Sequence, residues 1–118
     1  MKEREFQKFV ILEYNKLPNC LCFKNETSMY SSGKPDLTVI YKGKGILIEL
    51  KVGNNKLSEL QRAYLENAVE KGVCCAIFRL IKKNKRLNKK ELLVKIIDAL
   101  NILYKSSLQN IIGFTWEM

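Results

Sequence analysis

The sequence predicts an α/β domain in which a small mixed β-sheet is flanked by α-helices. Two apolar segments, residues 35–40 and 46–52, are separated by a short glycine-containing turn, which is typical of an antiparallel β-hairpin. Helical patterns precede and follow the hairpin, and an apolar segment at 73–80 predicts another strand. The chain has 118 residues, of which 47% are hydrophobic, so residues 1–118 are predicted to form a single domain with one modest core.

The first half of the chain predicts a helix and a short strand before the hairpin. Apolar residues at helical spacing predict a helix over about residues 3–17, which ends before Pro18 because proline disrupts a helix interior. Residues 21–23 predict a short strand, and the polar residues 25–34 predict a loop that leads into the hairpin. A second loop is expected at 53–55, just after the hairpin.

The second half predicts two more helices. Ser58 and Gln61 have the spacing of a capping box, so a helix is expected to begin at Ser58. It is expected to end near Gly72, since glycine is common just after a helix. After a charged break, Asn88 and Glu91 predict the start of a last helix.

The last helix and the end of the chain allow alternatives. The apolar face of this helix, over residues 93–104, is expected to pack either against the sheet or against a second subunit. Residues 111–118 are expected to form a short edge strand or an extended arm. In this division the core covers about residues 3–80, and a basic segment with the last helix covers about residues 82–105.

The chain is strongly basic. It has 21 Lys and Arg residues against 12 Asp and Glu residues, a formal charge of +9, which favours a polyanionic partner. Nucleic acid is the predicted partner rather than a membrane, because neither end carries a basic amphipathic helix and no apolar run approaches the roughly 20 residues of a membrane span. No signal-peptide pattern follows the first residues, so a soluble, intracellular protein is expected.

The sequence excludes several kinds of catalytic site. It contains no histidine, which excludes Ser-His-Asp and Cys-His chemistry. Its four cysteines, Cys20, Cys22, Cys74 and Cys75, lack the spacing of a zinc knuckle. We expect free thiols, with Cys74 and Cys75 buried on a core strand, and a four-cysteine zinc site is the alternative.

Three charged residues in the predicted hairpin indicate a functional site. Asp36 begins the first strand, Glu49 and Lys51 lie near the end of the second, and apolar neighbours make an unpaired charge costly there. Because hairpin strands are antiparallel and side chains alternate, Glu49 and Lys51 share a face close to Asp36. Two carboxylates beside an ammonium group suit Mg²⁺ or Mn²⁺ next to a phosphate. The alternative is a strand-end ion pair between Lys51 and one carboxylate.

The order of these motifs resembles that of a nuclease family. The chain has a helix with glutamate, a Gly-x-Pro-Asp motif at residues 33–36, a Glu-Leu-Lys motif at residues 49–51, and a helix with Ser58 and Gln61. Over about residues 3–80 this arrangement is similar to the VRR-NUC (virus-type replication-repair nuclease) group of the PD-(D/E)xK superfamily. The resemblance implies a restriction-endonuclease-like core and metal-dependent hydrolysis of DNA.

The resemblance also implies the metal ligands. Asp36 and Glu49 would bind Mg²⁺ or Mn²⁺ together with the backbone carbonyl of Leu50. A glutamate of the first helix would add a ligand, and Glu3 fits the family pattern better than Glu5. A favourable interaction with the helix dipole is an alternative explanation for both glutamates. No organic cofactor is implied.

The resemblance adds two residues to Asp36 and Glu49 as the predicted catalytic set. Lys51 would orient or help deprotonate the attacking water and stabilise charge on the phosphate. Gln61 would orient water or phosphate from the neighbouring helix. The alternative is that Gln61 serves only as the capping-box partner of Ser58.

Basic side chains are predicted to contact the DNA backbone. They are Lys34, Lys82, Lys83, Lys85, Arg86 and Lys89. The run at 82–90 follows a predicted core strand, which suits such a contact, and a solvated connector is an equal alternative. The segment after residue 80 is also longer and more basic than the helix that usually closes these domains.

The predicted function is metal-dependent endonucleolytic cleavage of DNA. The resemblance implies specificity for branched DNA such as four-way junctions, a role in DNA repair, and a homodimer. One alternative is a non-catalytic DNA-binding module, which the presence of Asp36, Glu49 and Lys51 argues against. The other is a nuclease subunit of a larger restriction or repair complex.

Overall fold

The structure is a computed structural model that describes residues 1–26, 33–82, 88–107 and 109–118. Within these ranges the chain forms three helices and five strands. In chain order they are α1 (Glu3–Asn15), β1 (Cys20–Lys24), β2 (Leu37–Tyr41), β3 (Lys44–Val52), α2 (Glu59–Glu70), β4 (Cys74–Ile81), α3 (Lys89–Lys105) and β5 (Ile111–Glu117). None of these helices combines the length and the hydropathy needed to cross a membrane.

The strands form one five-stranded mixed sheet in the order β1-β2-β3-β4-β5. β1, β2 and β3 pair antiparallel, whereas β4 lies parallel to β3 and β5 lies parallel to β4. Each parallel pair is joined through a helix, because parallel neighbours need a long crossover connection. The predicted α/β class, a small mixed sheet flanked by helices, is confirmed. The end of the chain is the edge strand β5 and not an extended arm.

The helices cover both faces of the sheet. α2 packs on one face, where Leu65 and Val69 contact a small cluster with Cys75. α1 and α3 pack on the other face and enclose the main core. Its helical members are Phe6, Val10, Tyr14, Leu92, Ile96, Ala99, Leu100 and Leu103. Of the two predicted partners for the apolar face of α3, the sheet of the same chain is therefore confirmed.

A tight turn sets the register of the β2–β3 hairpin. Lys42 and Gly43 form the turn with positive φ angles of 51° and 83°, as this kind of two-residue hairpin turn requires. Tyr41 consequently faces Lys44 across the first pair of the ladder. Because the turn leaves no freedom to slip, every later pair in the hairpin is fixed as well.

The hairpin register also decides which side chains of β3 face each layer. Ile48 and Leu50 are fully buried in the main core between the sheet, α1 and α3. Side chains alternate along a strand, so Leu47, Glu49 and Lys51 point to the opposite face. Leu47 contacts the cluster under α2. Glu49 and Lys51 therefore share one face, as predicted.

The outer edge of β1 is partly closed by a side chain. Asn15, the last residue of α1, donates from Nδ2 to the carbonyl of Cys22 at 2.8 Å. Its Oδ1 accepts from the backbone N–H of Cys22 at 2.9 Å. The amide of Asn15 thus occupies the backbone groups that a neighbouring strand would use.

Gly33 ties the segment before β2 to the start of α2. Its φ of 88° lies in the left-handed region that glycine adopts far more readily than other residues. A Cβ atom at this position would lie 2.4 Å from the carbonyl oxygen of Leu60. The glycine of the Gly-x-Pro-Asp motif is therefore required both by the backbone conformation and by the close approach of α2.

Replacement of Gly33 by alanine should destabilise the fold more than the matched change at Gly43. Gly43 has a similar φ of 83° but nothing within 4 Å of its Cβ position. We expect Gly43→Ala to lower the free energy of unfolding by about 1 kcal/mol through φ alone, and Gly33→Ala by at least about 1 kcal/mol more, because α2 must move. Urea unfolding measures both, and equal decreases would show that the contact with α2 contributes nothing.

Candidate active site

The hairpin brings Asp36 beside Glu49. Leu37 faces Ile48 in the β2–β3 ladder, and one further step along the antiparallel strands puts Asp36 opposite Glu49. Asp36 is half-buried, while only 2% of the Glu49 surface is exposed. The convergence of two carboxyl groups that the sequence predicts is therefore present in the fold.

Glu49 is a buried carboxyl group with an unsatisfied oxygen. Among the described residues, its Oε2 is the buried side-chain polar atom that lacks a hydrogen-bond partner. Burial, and then the neighbouring Asp36, raises the pKa of Glu49 to about 9, although the charge of Lys51 acts in the opposite direction. Such a group either holds a proton at neutral pH or requires a cation beside it.

The backbone of β3 orients the carboxylate of Asp36. Its Oδ2 accepts a hydrogen bond from the N–H of Leu50 at 2.8 Å. The N–H and the C=O of one strand residue point to the same side of the strand, so the carbonyl of Leu50 also faces Asp36. Pro35, opposite Leu50 in the continued register, has no N–H to donate to that carbonyl. Two carboxyl groups and a backbone carbonyl are thus brought together.

Lys51 lies on the same face as Glu49 and next to a second cation. In the parallel β3–β4 ladder Lys51 faces Arg79. Arg79 donates from Nη1 to the carbonyl oxygens of Gly53 and Asn55, at 2.8 Å in each case. These bonds hold the loop that follows Lys51 against the end of β4.

Lys51 does not form the strand-end ion pair that was the alternative interpretation. In the described part of the chain, ion pairs within 4.0 Å join Lys16 to Glu13 and Arg62 to Glu66, and Lys51 makes none. The charge of Lys51 still acts on the carboxyl groups, because it opposes the rise in the pKa of Glu49 that burial causes. The ammonium group is therefore close to the site without being neutralised by it.

Of the two candidate glutamates on α1, Glu3 is the one that reaches the site. Burial, and then the charge of Asp36, raises the pKa of Glu3. Glu3 lines the same cavity as Asp36, and Glu5 is not part of that lining. Within the described ranges, no group of three or more His, Cys, Asp or Glu side chains is arranged to hold a metal ion. Glu3 as a metal ligand therefore stays a prediction.

An open cavity of about 510 Å³ lies beside Asp36. It is lined by Glu3, Arg4, Gln7, Lys24, Asn25 and Asp36. Arg4 and Lys24 bring positive charge next to the carboxyl groups, which is what a phosphate would need. Neither cation is among the DNA contacts predicted from the sequence. Lys24 reaches the site because it pairs with Leu37 at the start of β2. No local sequence pattern reveals this pairing.

The side chain of Gln61 is used in the capping box of α2. The side-chain Oε1 of Gln61 accepts from the backbone N–H of Ser58 at 3.0 Å, and the backbone N–H of Gln61 donates to the Ser58 hydroxyl at 3.1 Å. The predicted capping box of Ser58 and Gln61 is confirmed. A role of Gln61 toward water or phosphate stays a prediction. Its side-chain Oε1 already accepts a hydrogen bond from Ser58.

The predicted DNA contacts are spread along the chain. Lys34 is half-buried on the segment before Asp36, and Lys82 and Lys89 are exposed. The predicted contacts Lys83, Lys85 and Arg86 lie outside the described residues.

All four cysteines are free thiols, as predicted. Burial raises the pKa of Cys22 to about 12 and that of Cys75 to about 11, so both thiols are neutral at physiological pH. Cys75 is buried on β4 and Cys74 is half-buried. Their environment is that of small apolar side chains in a core.

Comparison with known proteins adds a distant structural similarity. No protein-family model and no curated protein sequence matches the chain, so the VRR-NUC resemblance stays a prediction from the motifs. A solved structure of SfsA from Pyrococcus furiosus, in complex with Ca²⁺, is similar with a TM-score of 0.49 and 16% identity. The match covers 98% of this chain and 56% of that chain, so this chain spans little more than half the length of SfsA.

The pKa of Glu49 predicts how the stability of the metal-free protein depends on pH. The folded-state pKa of about 9 exceeds the ordinary value of 4.5. Between these values the folded protein holds a proton that the unfolded chain has released, so the free energy of unfolding should fall as the pH rises from about 5 to about 9. Glu49→Gln keeps the shape without ionising and should remove most of this fall.

Urea unfolding in the presence of EDTA at several pH values tests this prediction. The exposed Glu70 of α2 supplies the control variant Glu70→Gln, which should keep the wild-type pH dependence. An equally steep fall in Glu49→Gln would show that another group is responsible.

Proposed function

We propose that this chain is a Mg²⁺- or Mn²⁺-dependent deoxyribonuclease, an endonuclease of the VRR-NUC group. The observation that carries the proposal is the buried carboxyl group of Glu49 beside Asp36, with an Oε2 that has no hydrogen-bond partner among the described residues. Two adjacent carboxyl groups destabilise a fold unless a proton or a cation is bound between them.

The oxygen donors at this site fit Mg²⁺ or Mn²⁺. Mg²⁺ typically takes one or two carboxylates, together with water and substrate phosphate, so a cluster of three carboxylates is not required. Asp36, Glu49 and the carbonyl of Leu50 would hold the ion, with Glu3 as a further candidate. Such an ion supplies a lower pKa for bound water and neutralises charge on the phosphate.

The cationic side chains would prepare the phosphate for attack by water. Lys51, on the face of Glu49, would align the water and stabilise the negative charge that develops on the phosphate. Arg4 and Lys24 on the cavity wall would bind backbone phosphates. Carboxylates alone repel DNA, so these cations are needed before the reaction can begin.

Branched DNA, such as a four-way junction, is the proposed substrate, and a homodimer is the proposed assembly. Both follow from the resemblance in the motifs, and the net charge of +9 supports a polyanionic partner. A non-catalytic DNA-binding module predicts binding without cleavage. A nuclease subunit of a larger complex predicts cleavage only when its partner is added.

Replacement of the three central residues should abolish cleavage. Asp36→Asn, Glu49→Gln and Lys51→Met should each lower the cleavage rate at least about 100-fold, which corresponds to a decrease of about 2.7 kcal/mol in transition-state stabilisation. Labelled four-way junction, flap, single-stranded and duplex DNA, with Mg²⁺ or Mn²⁺, provide the measurement. Asp98→Asn, at an exposed carboxylate of α3, is the control and should cut normally. Metal-independent cleavage, or full activity in Asp36→Asn, would contradict the proposal.

Arg4 and Lys24 should contribute to DNA affinity through their charge. Arg4→Ala and Lys24→Ala should each weaken binding and reduce the slope of log affinity against log salt by about 1 for each phosphate that is no longer neutralised. Fluorescence anisotropy with labelled DNA at several salt concentrations measures this slope. Lys8→Ala, at an exposed position of α1, is the matched control. Equal slopes of log affinity against log salt in all three variants would show that Arg4 and Lys24 do not contact the DNA.

A further inference from the structure

Asn25 is a buried polar residue next to Asp36. In the described ranges, Asn25 and Glu49 are the buried residues with an amide or a charged side chain, and 6% and 2% of their surfaces are exposed. Asn25 follows β1 directly, and in the continued β1–β2 register it lies opposite Asp36. A buried amide needs partners for its donor and its acceptor, and the segment around Asp36 supplies them.

Three hydrogen bonds join Asn25 to the segment that carries Asp36. The backbone N–H of Asn25 donates to the carbonyl of Asp36 at 2.9 Å. Its Nδ2 donates to the carbonyl of Pro35 at 2.9 Å. Its Oδ1 accepts from the hydroxyl of Thr38 at 2.7 Å. Asn25 therefore bonds the chain before Asp36, at Asp36 and after it.

The chemistry of these partners requires an amide at this position. The Pro35 carbonyl can only accept, so the side chain of Asn25 must present a donor to it. The hydroxyl of Thr38 donates to the other end of the amide and fixes its orientation. Alanine would leave the Pro35 carbonyl without its partner in a buried setting, and an ionised aspartate would place oxygen against oxygen.

Asp36 depends on these bonds because it lies outside the strand. β2 begins at Leu37, so the sheet ladder does not include Asp36. The backbone N–H of Asn25 holds the carbonyl of Asp36, and the Asn25 side chain holds Pro35 and Thr38 on either side of it. The N–H of Leu50 fixes one oxygen of the Asp36 carboxylate. With the backbone and one carboxylate oxygen held, the carboxyl group of Asp36 is kept beside that of Glu49, with which it shares a hydrogen bond.

We propose that Asn25 is a positioning residue that sets the metal-binding geometry of the Asp36 carboxylate, with Thr38 fixing the orientation of the Asn25 amide. This inference rests on the proposed metal site. Asn25 acts through Asp36, and partners that orient a ligating carboxylate commonly change metal affinity when they are removed.

Isothermal titration of the protein with Mn²⁺ measures the proposed effect directly. Asn25→Ala and Thr38→Val should weaken Mn²⁺ binding by about 10- to 100-fold, whereas Thr38→Ser keeps the hydroxyl and should bind nearly as wild type does. Asn25→Ala and Thr38→Val break the same Thr38–Asn25 hydrogen bond from opposite ends, so a variant that fails to fold by circular dichroism leaves the other to give the result.

The chain offers a matched control for Asn25. Asn101 on α3 accepts from the Tyr41 hydroxyl at 3.1 Å and donates from Nδ2 to the carbonyl of Ile97 at 3.2 Å. This is the same pattern of one hydroxyl donor and one carbonyl acceptor, away from Asp36. Asn101→Ala should lower stability and leave the Mn²⁺ affinity unchanged.

Amide hydrogen exchange by NMR supplies a readout that needs neither metal nor activity. The Leu50 N–H donates a hydrogen bond to the carboxylate of Asp36. If Asn25 positions Asp36, Asn25→Ala should accelerate hydrogen exchange at the Leu50 N–H more than at the Ile46 N–H earlier in β3. A general decrease in stability would accelerate both amides alike.

The outcomes separate this inference from the proposed function. A wild type that binds Mn²⁺, with unchanged affinity in a folded Asn25→Ala variant, would overturn the positioning role and leave the metal site in place. Equal acceleration at Leu50 and Ile46 would also overturn it. A wild type that binds no Mn²⁺ would overturn the proposed metal site, and the positioning role with it.

Discussion

Burial of the Glu49 carboxyl group beside Asp36 is the constraint around which the site is arranged. Glu49 lies within β3, pairs with Ile77 of β4 on one side and lies next to Asp36 on the other, and only 2% of its surface is exposed. The Leu50 N–H and Asn25 then hold Asp36 in place, which keeps the two carboxyl groups from separating. An isolated buried carboxylate is destabilising, and the compensation available in this fold is a proton, the nearby Lys51, or a bound cation.

The part of the site that is predictable from sequence is the part controlled by short-range geometry. A two-residue turn fixes the hairpin register, and strand alternation then places Glu49 and Lys51 on one face near Asp36. The capping box of α2 is equally local, since Ser58 and Gln61 are three residues apart. The sequence therefore allows two roles for Gln61, in the capping box or toward water and phosphate. Its local hydrogen bonds can be inferred, while its distance from a substrate depends on how α2 packs.

The residues that sequence reasoning missed are brought in by long-range pairing. Lys24 and Asn25 reach Asp36 because β1 pairs with β2 across a loop, and no periodicity within β1 indicates that alignment. The choice between Glu3 and Glu5 depends on how α1 sits on the sheet, since both lie in its first turn. A helical pattern identifies the buried face of α1 but not which exposed glutamate points at a neighbouring strand.

The amide that Asn15 presents to β1 affects how copies of this chain can meet. An open strand edge is a template to which a strand of another molecule can add, and Asn15 already occupies the central N–H and C=O of β1. A continuous sheet running from one molecule into the next through β1 would have to break both bonds first. The adjoining face of the sheet carries exposed apolar side chains, with Leu21, Phe23 and Ile40 54%, 42% and 39% exposed. Addition of a strand at the centre of the β1 edge is therefore opposed by the Asn15 amide.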